Sequence, residues 1–142
     1  MSAPGAASSV DDESLLCVLV LAPTTFSRNR FFWLFEDAGR RRLRRRASRV
    51  RGIIRQLVSP ERHAEVLGER VLEDGQVLLR YRVEELGFSR TAALSRLEAA
   101  ALRYALHRAG RGELLDDDRQ LVETSIVRLS RGLGLPLEGV MS

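Results

Sequence analysis

Lysine is missing from this chain: all 23 of its basic residues are arginine. Arginine makes planar, two-pronged contacts to carboxylate and phosphate that an ammonium group cannot. A GC-rich coding sequence, however, favours arginine codons everywhere, and arginines do fill ordinary surface positions such as Arg62 and Arg128. The second reading weighs more, so the arginine count alone carries no function. Cysteine is reduced to Cys17, which excludes an intramolecular disulfide. It lies inside the apolar run 15–21, which predicts a buried, inert thiol, because reactive cysteines need electropositive, accessible surroundings.

Histidine is limited to His63 and His107, which lie in segments of different character, with no ligand spacing between them and no cysteine nearby. Both read as surface or core-edge side chains rather than as a base or a metal ligand. The glycines form no phosphate-cradling motif. Gly110 and Gly112 follow a predicted helix, whereas a phosphate loop precedes one. Asp116, Asp117 and Asp118 match no calcium-loop spacing, and acids at a helix start already favour the N-terminal dipole. With no catalytic constellation, metal motif or cofactor fingerprint, the expectation is a non-enzymatic protein without a cofactor.

Long apolar runs are missing as well. The longest, residues 15–22, is far short of the roughly 20 residues that span a bilayer. The residues before it carry no positive charge, and Asp11, Asp12 and Glu13 precede it directly, which is not the pattern of a secretory signal. A cytoplasmic protein without a transmembrane segment is expected.

What is present suffices for one domain: 142 residues, 44% of them hydrophobic. Residues 1–13 read as a disordered tail and residues 14–142 as a single α+β domain. At its length, the run 15–21 suggests a buried strand. The aromatic cluster 31–35 (Phe31, Phe32, Trp33, Leu34, Phe35) reads as core material in a chain with few aromatics.

The clearest periodicity follows Gly39, itself a candidate kink. Leu43, Ala47, Val50, Ile54 and Leu57 make one apolar helical stripe, flanked by Ile53 and Val58. At about 100° per residue, Arg41, Arg44, Arg45, Arg49 and Arg55 fall opposite, with Arg40 and Arg46 at the margins. Ser59-Pro60 stops the helix. Residues 61–68 suggest a short helical turn. Asp74-Gly75 then marks a hairpin between 70–73 and 77–84, with Val77, Leu79, Tyr81 and Val83 on one face. A third strand, 88–94, alternates Phe88, Arg90, Ala92 and Leu94. Ser95 and Glu98 form a capping-box pair opening a largely buried helix to about residue 109, with Arg96, Arg103 and His107 as its narrow polar strip. A last helix opens at 116–118, with stripe Leu115, Val122, Ile126, Leu129 and Leu133. The expected fold is thus α+β: a long basic amphipathic helix, a small antiparallel β-meander and a C-terminal helical pair in one domain, preceded by a short strand.

Two stretches have local resemblances. Residues 97–134, a helix, a Gly-rich turn and an Asp-Asp-Asp-Arg-Gln-Leu-Val opening, resemble the helical pairs of tellurite-resistance TerB-like domains. That resemblance implies a metal-linked Ala-Asp-Gly turn, where this chain has Ala109-Gly110-Arg111-Gly112. The stretch Asp118-Arg119-Gln120-Leu121-Val122 through Leu129 is similar to the recognition helix of response-regulator winged helices, which implies DNA reading, but without the short helix before it and the wing after it.

The charge distribution supplies the remaining functional signal. Residues 28–55 hold eleven arginines against Glu36 and Asp37, a local +9, while the other twelve arginines and seventeen acids leave −5. The i, i+4 pairs Arg40–Arg44, Arg41–Arg45, Arg42–Arg46 and Arg45–Arg49 each oppose the helix by roughly 0.2–0.5 kcal/mol. An external anion or an acidic surface of the same fold would offset this. Four destinations are compatible: nucleic-acid phosphates, an acidic protein partner or a second copy's acidic face (a homo-oligomer), an anionic membrane surface helped by Phe31 to Phe35, and the chain's own acids, Asp11 to Glu13 or Asp116 to Asp118. Phosphate binding through Arg41, Arg44, Arg45, Arg49 and Arg55 is the favoured expectation. It would be backbone-directed, since only Gln56 interleaves with the arginines as a base-reading type.

Overall fold

The computed structural model describes residues 12–21, 38–59, 61, 63–84 and 87–133. In chain order these form α1 (Asp12–Leu21), α2 (Ala38–Val58), β1 (Ala64–Val71), β2 (Val77–Val83), β3 (Phe88–Leu94), α3 (Arg96–Arg108) and α4 (Asp116–Leu133). The strands make an antiparallel meander in the order β1-β2-β3, and with the four helices they give the α+β fold expected. Most of the anticipated tail, the aromatic cluster 31–35 and Pro60 lie outside the described residues.

The run 15–21 is a helix, not a strand, and Asp12 and Glu13 form its first turn. Leu15, Leu16, Cys17 and Val18 are fully buried, and Leu19, Val20 and Leu21 nearly so. A run this short and uniformly apolar has no period to separate helix from strand. The environment decides: α1 packs against α2, α3 and α4, so no side of it needs to be polar. The two acids at its start suit the helix dipole.

Around it, α2 behaves as its stripe predicts. Leu43, Ala47, Val50, Ile53 and Leu57 are buried, and Ile54 and Val58 partly so. Ile53 and Ile54 therefore exchange rank, a shift of about one position that leaves the stripe intact. The helix begins at Ala38, so Gly39 lies in its first turn.

In the sheet, β2 alternates as expected: Val77, Leu79, Tyr81 and Val83 are buried, and Arg80 and Arg82 exposed. Gly75, at φ 86°, takes the left-handed position of the β1–β2 turn, closed by Leu72 N–H to the Gln76 carbonyl at 2.8 Å. The segment 61–68 departs from expectation: from Ala64 onward it is strand. The register shifts between Val66 and Gly68, so Leu67 is an extra residue in the ladder. This bulge puts Val66 and Leu67 side by side in sequence and breaks the alternation by which a strand is recognised.

The capping box at α3 forms in both directions: Glu98 N–H donates to Ser95 Oγ at 3.1 Å, and Ser95 N–H to Glu98 Oε1 at 2.7 Å. Gly110, at φ 73°, turns the chain after α3. In α4 the stripe holds at Val122, Ile126 and Leu129, whereas Leu115 is 63% exposed because it precedes the helix.

Candidate anion-binding face

The face of α2 opposite its apolar stripe is dominated by arginines, with Ser48 and Gly52 between them. Arg41, Arg42, Arg44, Arg45, Arg49 and Arg55 are exposed there, and Arg46 and Arg51 are half-buried at the margins. All five residues expected to bind an anion lie on this face. The structure does not leave them equivalent.

Arg49 is committed to the fold, its Nη2 donating to the Ala93 carbonyl at 2.6 Å and lying 3.8 Å from Glu98 Oε1. Arg46 lies 3.5 Å from Glu13 Oε1 and 3.5 Å from Glu98 Oε2. Two of the chain's own acids, Glu13 and Glu98, thus reach Arg46 and Arg49 on the side of the arginine face nearest the core. Glu13 takes part, as one expectation had it. Asp118 does not: fully buried, it accepts from Arg96 at 2.7 Å and from Arg103 at 3.1 Å on the far side of α3. Glu69 also pairs with Arg103. Burial works against the charge on Arg103, but the hydrogen bonds and charges of Glu69 and Asp118 outweigh it and hold the guanidinium above its ordinary pKa.

Glu98 is the counter-charge that sequence reasoning missed. Its place in the capping box was legible; that its carboxylate also faces α2 depends on tertiary packing. Its side chain is buried, and Oε2 has no hydrogen bond although the Arg46 Nε charge lies beside it. Arg42, Arg45, Arg46 and Arg49 line an open recess of about 570 Å³ above it. Among the described residues, Arg42, Arg45 and Arg55 have no ion-pair partner.

A second hollow, about 730 Å³, lies where the C-terminal ends of α1, α2 and α3 converge. Arg51, Arg55 and Arg108 edge it, with Val20, Ile54 and Val58 as apolar wall. Arg51 reaches the Leu19 carbonyl at 3.5 Å, placing a cation at the negative end of α1. Burial, and then the Arg55 charge, pull Arg51 below its ordinary pKa.

Of the residues considered for catalysis or metal binding, His107 Nδ1 lies 3.0 Å from the Gly112 carbonyl and Asp118 is taken by arginines. Among the described residues, no helix is long and apolar enough to cross a membrane. No family model, curated protein or solved structure significantly matches the chain.

Proposed function

We propose that the protein is a non-enzymatic accessory module whose α2 arginine face binds the phosphates of nucleic acid without base specificity. The observation that carries this reading is the exposure of Arg41, Arg42, Arg44, Arg45, Arg49 and Arg55 on one helix face, of which Arg42, Arg45 and Arg55 have no ion-pair partner among the described residues. From Arg41 to Arg55 the face is about 21 Å long at 1.5 Å per residue, enough to contact several phosphates of one duplex. The Leu43–Leu57 stripe anchors the helix to the core and leaves the arginines outward.

Phosphate binding of this kind releases counterions, so the logarithm of affinity falls linearly with the logarithm of salt. Titration of labelled duplex and single-stranded DNA at several salt concentrations measures that slope. Arg44→Glu with Arg45→Glu is expected to weaken binding uniformly across sequences and to reduce the slope by about 2. Absence of binding at about 50 mM salt overturns the reading; capture of an acidic protein, lost in the same double variant, would then assign the face to a protein partner.

A further inference from the structure

We propose that two copies of the chain associate through antiparallel pairing of β1 with β1 of the second copy, joining the two meanders into one continuous sheet. β1 is an edge strand. From Glu65 to Val71 every residue is exposed, including Val66 and Leu67 at 41% each and Val71 at 68%. An edge of this kind presents a row of backbone donors and acceptors able to pair with another chain. At the opposite edge of the sheet, Arg49 of α2 already takes the Ala93 carbonyl.

The occupant follows from the pattern of β1 itself. Ala64 and Val66 lie opposite Val83 and Tyr81, and Glu69 and Val71 opposite Leu79 and Val77, so all four belong to the inward face. Glu65 and Arg70, opposite Arg82 and Leu78, belong to the outward face. The extra residue at Leu67 makes the two ends of the strand repeat one order, in–out–in over 64–66 and in–out–in over 69–71. A twofold axis between Leu67 and Gly68 therefore sets Ala64 against Val71 of the second copy, Val66 against Glu69, and Glu65 against Arg70, with every face matched. A slip of one residue in either direction sets inward side chains against outward ones.

Charge selects the same register. The Glu65–Arg70 pair occurs twice across the axis. Arg70 has no ion-pair partner among the described residues, and Glu65 uses only Oε1 toward Arg82. Charges and a bulge ordinarily protect an edge against indiscriminate pairing. Here they are disposed symmetrically, so they penalise other registers and permit this one. Eight residues per copy make a small interface, which places the dimer among weak, concentration-dependent associations.

Sedimentation equilibrium without nucleic acid, from micromolar to near-millimolar chain, tests the proposal. The wild-type chain is expected to dimerise reversibly. Arg70→Glu and Glu65→Arg, each checked for native circular dichroism, place like charges across the axis and are expected to weaken self-association about tenfold. In an equimolar mixture of the two variants, a strand acidic at both positions meets a strand basic at both, and dimers are expected to return. That recovery also shows both variants to be folded. A monomer throughout the range, a dimer indifferent to either substitution, or a mixture no more associated than its components would each overturn it.

Discussion

At the scale of single residues, this protein separates charges that serve the fold from charges that face solvent. Asp118 is buried, yet its carboxylate is held by two guanidiniums, which compensates the loss of hydration. Cys17 has no such partner, and burial alone pushes its thiol from 9.0 up to about 12. The sign of the consequence is fixed by that direction. Above pH 9.0 the unfolded chain releases a proton that the folded chain keeps until about pH 12, so the contribution of Cys17 to stability is intact below pH 9.0 and falls as pH rises through that window. Urea unfolding at about pH 8 and about pH 10 is expected to show this decline, and Cys17→Val should flatten it. The same burial predicts that an aromatic disulfide reagent labels Cys17 in urea but not in the native protein. Rapid labelling of the native chain would contradict the placement of α1.

At the scale of elements, legibility depended on whether a signal was local. The α2 stripe, the Asp74-Gly75 turn, the 88–94 strand and the Ser95–Glu98 box are each written in patterns a few residues long, and each element appears in the structure, with Ile53 taking the buried place expected of Ile54. The helix α1 did not, because Leu15 to Leu21 owe their state to three surrounding helices rather than to any pattern of their own. β1 did not, because the bulge at Leu67 scrambles its alternation. Five exposed arginines of the face were legible, but not Arg42 beside them, nor the division into Arg46 and Arg49, turned toward Glu98, and the outer arginines. That division yields a graded expectation. Ser95→Ala removes the cap alone and should cost about 1 kcal/mol. Glu98→Ala removes the reciprocal bond and also the carboxylate beside Arg46 and Arg49, and should cost about 2 kcal/mol. Denaturant unfolding of both variants compares them; equal losses would mean that Glu98 does not tie α2 to α3.

At the scale of the whole molecule, the uneven charge sets two opposing responses to salt. Glu13–Arg46 and Glu65–Arg82 are exposed or half-exposed pairs, and screening weakens them. Along α2 the like charges of Arg41–Arg45, Arg42–Arg46 and Arg45–Arg49 repel, and screening relieves that repulsion. The three pairs sum to about 1 kcal/mol, comparable to the few tenths that each exposed ion pair contributes. Because Glu98 is buried, its contact with Arg46 is less exposed to screening, so the repulsive side should prevail. Raising sodium chloride from about 10 to about 150 mM is therefore expected to increase the melting temperature by about 2 °C. Under the proposed phosphate binding, a polyanion should raise it further at constant ionic strength, since a ligand held by the folded arrangement of arginines stabilises that state. A melting temperature that falls with salt would show that the chain's own acids already neutralise α2, leaving its arginines little to gain from an outside phosphate.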